Sequence, residues 1–208
     1  MTATRDWRAE PESFVFSDEN KAKIEKIVAK YPDGRQASAV LPLLDLAQRQ
    51  AGGWLPRVAI EHVAEVLGMA PIRVQEVVSF YTMLHDKPVG RHVVWVCTNI
   101  SCMLRGSDEV LEACEAATGA KLGQTTEDGL FTLREQECLG ACCNAPMVQI
   151  DDDYYEDLTG ERMTAILEAF KRGETPRPGS QSGRHTSEPA GGLTTLKDAP
   201  VPAGRGDS

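Results

Sequence analysis

The apolar positions of this chain change their spacing once. Over residues 17–85 they recur at three- and four-residue intervals, the repeat of helices with one buried face. Ser17, followed by Asp18 and Glu19, supplies a cap oxygen and an acidic first turn for a helix over 17–31, with Ile24, Ile27 and Val28 on one side. Pro32-Asp33-Gly34 stops it. A second helix is expected over 39–51, with Leu43, Leu44 and Ala47 inward and Gly52-Gly53 as its stop. Pro56 and Pro71 suit a first helical turn, where the missing N–H has no partner to lose, and they open helices over 58–67 and 72–84 separated by Gly68. After Pro88-Val89-Gly90 the repeat shortens to that of strands, expected over 92–96, 130–133, 147–150 and 154–158. A helix over 104–117 follows the first of them, and a last helix over 159–172 carries Met163, Ile166, Leu167 and Phe170. That order, β-α-β-β-β-α, describes a small α/β sandwich.

From residue 173 more than half of the positions are Gly, Pro, Ser or Thr, and none is aromatic. Such a stretch has too little apolar surface to offset the entropy of ordering it, so a disordered tail is expected over 173–208. The expectation is therefore an α+β chain: a flexible N-terminus over 1–16, a helical bundle over 17–88, an α/β domain over 89–172, and the tail.

Composition narrows the function classes. With 208 residues, 41% of them hydrophobic and 25% charged, the chain can build a core of its own. A net charge of −9 without a basic cluster argues against nucleic acid, whose affinity rests on Lys and Arg neutralising phosphates. No apolar run approaches the roughly 20 residues that cross a bilayer, and the first residues show no apolar targeting core, so no direct membrane span is expected and the chain should be cytosolic or peripheral. Neither a G-x-G-x-x-G nor a P-loop signature occurs, so no nucleotide site is expected on this chain.

The chemistry lies in the cysteines. Four of the six fall in two pairs where the second domain turns: Cys97 and Cys102 after its first strand, Cys138 and Cys142 between its second and third. Cys97 ends a strand and Cys102 stands at or just before a helix N-terminus, so the residues between them can aim backbone N–H groups at sulfur. Gly140 permits the positive φ that turns both thiolates of the second pair to one site, and Pro146 keeps that loop from continuing as a helix. Two disulfides would require an oxidising compartment, and a thioredoxin-type redox pair requires C-x-x-C, which is absent. A structural zinc with four cysteine ligands fits the spacing loosely. A [2Fe–2S] centre fits it better, although the plant-type ferredoxin pattern shares only the first spacing.

The runs Gly90 to Cys102 and Glu137 to Val148, together with Gly53-Trp54-Leu55-Pro56 and the stretch Val78 to Met83, resemble the thioredoxin-like [2Fe–2S] E-type subunit of bacterial NADH:quinone oxidoreductase, respiratory complex I. The resemblance covers about residues 17–172. It implies a thioredoxin-like ferredoxin domain with one [2Fe–2S] cluster on Cys97, Cys102, Cys138 and Cys142. It also implies a non-catalytic electron-carrier role beside a flavoprotein that holds FMN and NADH, among other peripheral-arm subunits on the cytoplasmic side of the inner membrane. NADH would pass a hydride to that FMN, and the cluster would take one electron. The equivalent subunit of a soluble NAD-linked hydrogenase or formate dehydrogenase shares these motifs, and a zinc-stabilised interaction module is the reading from a different class.

The other candidates are structural. Cys114 lies among apolar helical neighbours and reads as a small core residue. Cys143 adjoins a proposed ligand as a spare thiol. His62, His85 and His92 show no metal spacing, and His185 lies in the tail. Asp151-Asp152-Asp153 with Glu156 and Asp157 reads as a solvated hairpin, since its spacing does not fit a calcium loop. Phe80 and Tyr81, at helical spacing with Val77 and Leu84, read as core. A ferredoxin domain of this size can fold around its metal, so the helical module is expected to serve docking, with Trp54, Leu55, Phe80, Tyr81 and Met83 as its apolar candidates.

Overall fold

A computed structural model describes residues 9–192 together with 194 and 195. The chain divides between Arg91 and His92 into two units.

Among the described residues the first unit holds four helices: α1 (Asp18–Val28), α2 (Val40–Gln50), α3 (Arg57–Leu67) and α4 (Pro71–Phe80), with a 3-10 turn over Gln36–Ala39 leading into α2. Ser17 caps α1 as its residue type predicts, its hydroxyl accepting from the Asn20 N–H, a contact worth about 1 kcal/mol. The inward positions of each helix meet in one core built on Leu43, Leu44, Ala47, Ala59, Val63 and Val74. Two expectations fail here. The N-terminal segment is not loose where the structure describes it. Phe16 is buried in the core, the Gln50 side chain donates to the Val15 carbonyl, and Glu10 accepts from the Arg57 N–H at the start of α3. Helix α4 ends at Phe80, short of the expected 84, because Tyr81 turns extended. The chain thereby brings Leu84 into the core and lets the His85 carbonyl accept from the Leu55 N–H at 2.7 Å.

The second unit, among the described residues, is built on a five-stranded sheet in the order β2-β1-β3-β4-β5. Its elements are β1 (His92–Cys97), α5 (Ile100–Leu104), α6 (Ser107–Thr118), β2 (Phe131–Gln136), β3 (Val148–Ile150), β4 (Asp153–Glu156), α7 (Gly160–Lys171) and β5 (Gly179–Ser180). Strand β1 runs parallel to β2, with Val94 opposite Leu133, and antiparallel to β3; β4 is antiparallel to β3. A parallel neighbour needs a crossover, and α5 with α6 supplies it. Helices α6 and α7 pack together, and Val110, Cys114, Met163, Ile166, Leu167 and Phe170 join Val94, Val96, Leu133, Val148 and Tyr155 in one core. This is the α/β architecture that the change of period predicts, with strand limits shifted by a few residues.

The expectation of disorder from residue 173 fails over 174–192. There β5 pairs in parallel with β4, and Arg184 forms an ion pair with Asp157. Apolar surface is as scarce in this segment as its composition implies, but hydrogen bonds and one shielded ion pair hold it instead. Residue 193 and residues 196–208 of the expected tail, like residues 1–8, lie outside the described residues.

Candidate metal centre

The four cysteines of the two pairs come from three places. Cys97 is the last residue of β1, Cys102 sits inside α5, and Cys138 and Cys142 bracket the loop that leads from β2 into a 3-10 turn over Cys142–Asn144. The placement of Cys102 corrects the expectation that it stands at or before the N-terminus of the long helix. It occupies a separate short helix, which Asn99 opens by accepting from the Ile100 N–H. Cys97 and Cys102 are buried, at 2% and 1% exposure, in a small cluster with Ala145 and Met147 against which Leu139, Ala141 and Tyr154 pack. Cys138, Cys142 and Cys143 are exposed. The centre thus has a buried pair of thiols and a pair at the rim.

The Sγ atoms of Cys138 and Cys142 lie 3.9 Å apart. Two thiolates on one tetrahedral metal with bonds of about 2.3 Å would stand about 3.8 Å apart, so this pair is spaced to share a metal. Cys97 Sγ points toward the Glu137 carbonyl at 3.9 Å. Burial pushes the Cys102 thiol up to about 12, and a hydrogen bond with Cys97 adds to that, while the Met147 backbone N–H favours its thiolate. Leu139 and Ala141, on the loop between the rim cysteines, pack against the cluster that holds Cys97 and Cys102, which brings that loop beside the buried pair. Among the described residues no three His, Cys, Asp or Glu side chains form a group placed to hold a metal ion. Two adjoining pairs of soft thiolate donors suit a binuclear iron–sulfur group.

The loop between the rim thiols is shaped by contacts that sequence reasoning missed. Gly140 has a φ of +84°, as expected. The Tyr154 hydroxyl, on β4, donates to the Leu139 carbonyl at 2.8 Å in the middle of that loop. Past the loop, the Asp157 N–H donates to the Asn144 carbonyl and the Leu158 N–H to that of Pro146. Thr98, between the buried cysteines, donates to Glu135 at 2.7 Å.

The remaining candidates take structural places. Cys114 is fully buried in the core of the second unit. The His62 ring lies against Phe14 and Phe16, and His85 is buried in the first unit. His92 pairs with Asp151 at 2.6 Å, and the same carboxylate accepts from the Val93 N–H, so this acid joins the start of β1 to the turn between β3 and β4. His185 lies on the segment that follows β5. Trp54 and Leu55 are buried, whereas Phe80 and Met83 are 77% and 59% exposed. Phe80 is therefore not core as its spacing suggested, because the early end of α4 leaves it on the outer face.

Residues 24–171 match the family described as thioredoxin-like [2Fe-2S] ferredoxin. The chain is 56% identical over 159 residues to the E-type subunit of the NADH-quinone oxidoreductase of Rickettsia conorii, covering 76% of this chain and 95% of that protein. It is 48% identical over 188 residues to the mitochondrial NADH dehydrogenase [ubiquinone] flavoprotein 2 of Dictyostelium discoideum, covering 90% of this chain and 76% of that one. Among solved structures, an NAD+-reducing [NiFe]-hydrogenase in the air-oxidised state shares the fold with a TM-score of 0.55 and 21% identity, over 62% of this chain and 23% of its own. The chain belongs to the thioredoxin-like [2Fe–2S] ferredoxin family.

Proposed function

We propose that Cys97, Cys102, Cys138 and Cys142 hold the single [2Fe–2S] cluster of this protein, and that the chain serves as the electron-carrying E-type subunit of an NADH:quinone oxidoreductase. The observation that carries this reading is a buried thiol pair packed against the loop whose two rim thiols stand 3.9 Å apart. When bound, the cluster supplies reversible storage of one electron. The chain's own residues do the rest. Burial of Cys97 and Cys102 keeps water from one side of the site, the Met147 N–H offsets part of the negative charge, and the exposed Cys138–Cys142 side faces outward, where a donor or acceptor can approach.

The electron donor in this reading is a flavoprotein subunit holding FMN and NADH, and the chain itself turns over no substrate. It sits peripherally, on the cytoplasmic side of the inner membrane; among the described residues no helix is long and apolar enough to cross a bilayer. Exposed Phe80 and Met83 make the first unit the anchoring surface for that partner. The likeness to a hydrogenase favours one second reading, the corresponding position in a soluble NAD-linked enzyme. Copurification separates the two by the subunits recovered.

The purified chain should hold about two irons and two labile sulfides and show a reduced-state EPR signal, all lost in the Ala variant of any of the four cysteines. Cys143→Ser should keep the signal. A colourless chain holding stoichiometric zinc would refute the reading, and Cys142→Ser keeping its cluster while Cys143→Ser lost it would refute the ligand choice.

A further inference from the structure

We propose that Arg184 is a positioning residue for the cluster, fixing the turn that carries Cys142 from a strap formed by residues 176–192. This inference rests on the ligand assignment above. After α7 the chain returns along the sheet edge, with Gly179 opposite Tyr155 and Ser180 opposite Glu156. It then places the Arg184 guanidinium, 11% exposed, against Asp157, 15% exposed. Nε and Nη2 both reach that carboxylate, Nη1 donates to the Glu188 carbonyl at 3.0 Å, and Nη2 donates to the Cys143 carbonyl at 2.8 Å.

The last contact joins the strap to the residue directly after a proposed ligand. A second joins it one residue further on: the buried Asn144 side chain donates to the Thr186 carbonyl at 2.7 Å and to Glu156 at 2.9 Å. With Tyr154 holding the Leu139 carbonyl, the loop is gripped on both sides of Gly140, Ala141 and Cys142, from β4 before them and from the strap after them. The strap lies beyond residues 24–171, where the family match ends.

A shielded ion pair repays its desolvation only when its remaining donors are also satisfied, and here every nitrogen of the guanidinium has an acceptor. That arrangement orders a segment with few apolar groups, and it explains why the fork must be arginine. Lysine offers charge without the planar set of donors. A rim thiolate on a loop held at both ends is preorganised for metal, whereas one on a loop free at its far end must be ordered each time the metal binds.

The test uses the full chain with its cluster. Iron loss to a ferrous chelator and the EPR line shape of the reduced state are read for wild type, Arg184→Gln, Arg184→Lys and Asp157→Asn. Loss of a charge-assisted hydrogen bond should speed iron release about tenfold or more in Arg184→Gln and broaden its spectrum, with Arg184→Lys in between. Asp157→Asn should act in the same direction, and the Arg184→Gln/Asp157→Asn double variant should be no worse than Arg184→Gln alone. The inference is overturned if Arg184→Gln frees the strap to proteolysis yet keeps wild-type iron release and line shape, an outcome that leaves the ligand assignment standing. A wild-type chain without any binuclear signal would instead bring down the ligand assignment, and this inference with it.

Discussion

Replacing Gly140 with alanine should weaken cluster binding without unfolding the protein. Gly140 has a φ of +84°, and a Cβ built there meets nothing within 4 Å. The cost of the methyl group is therefore backbone strain alone, about 1–2 kcal/mol for an L-residue held in the left-handed region. Between the anchors at Leu139 and Cys143, Gly140 is itself exposed, so without metal the residues between those anchors can shed part of that strain locally. Once two thiolates are fixed on a metal, they cannot. The strain then falls on loading, and a loss of 1–2 kcal/mol is roughly a five- to thirtyfold drop in affinity. Gly123 is the matched control, with a φ of +80° and equally open space, in a turn whose N–H donates to the Leu133 carbonyl. Gly123→Ala carries similar strain into folding itself, lowering the melting temperature of metal-free and loaded chains alike. The assay is iron retention at graded chelator concentrations, followed by the visible absorbance of the cluster, with melts run in parallel. Equal retention in Gly140→Ala and wild type, or an equal loss in Gly123→Ala, would refute the reasoning.

Two further outcomes follow from burial. Burial pushes the Cys114 thiol up to about 12, and the nearby Glu115 charge adds to the shift. Iodoacetamide at about pH 8 should accordingly label exposed Cys143 and leave Cys114 untouched until the chain unfolds. Because the folded-state value is raised, the stability tied to Cys114 and, in the metal-free chain, to Cys102 is fully present below the unfolded thiol value of about 8.5. It is lost as the pH climbs toward 12, so the urea midpoint should fall between about pH 8 and pH 11, and by less in Cys114→Ala. The double variant Phe80→Glu/Met83→Glu alters exposed side chains, so it should change stability by no more than about 0.5 kcal/mol while lowering copurification with the flavoprotein; undiminished copurification would move the anchor elsewhere.

The sequence by itself determined most of the elements and the residue types that could carry the chemistry. Helical spacing of Leu43, Leu44 and Ala47, the caps at Ser17 and Gly68, and the β-branched run ending at Cys97 are local signals. Each is answered within a turn or a strand, and each appears where it was expected. The paired cysteines and Gly140 are legible for the same reason, since metal ligation and positive φ restrict residue type on the spot. What the tertiary structure alone decided depends on partners far along the chain. Helix α4 stops early because Leu84 has a core to enter and His85 a carbonyl to offer Leu55. Cys102 takes a short helix of its own and buries its thiol in a cluster with Cys97 and Met147. Composition marks the segment after α7 as unable to fold, and by its own apolar content it is. Its order comes from Arg184 meeting Asp157, 27 residues earlier, and from strand pairing with β4, and no local pattern records either. Periodicity reports which face of an element is apolar. Where a polar group finds its partner is settled only when distant segments are brought together, because a charge or an N–H gains from folding only at the distance and angle that the assembled sheet provides.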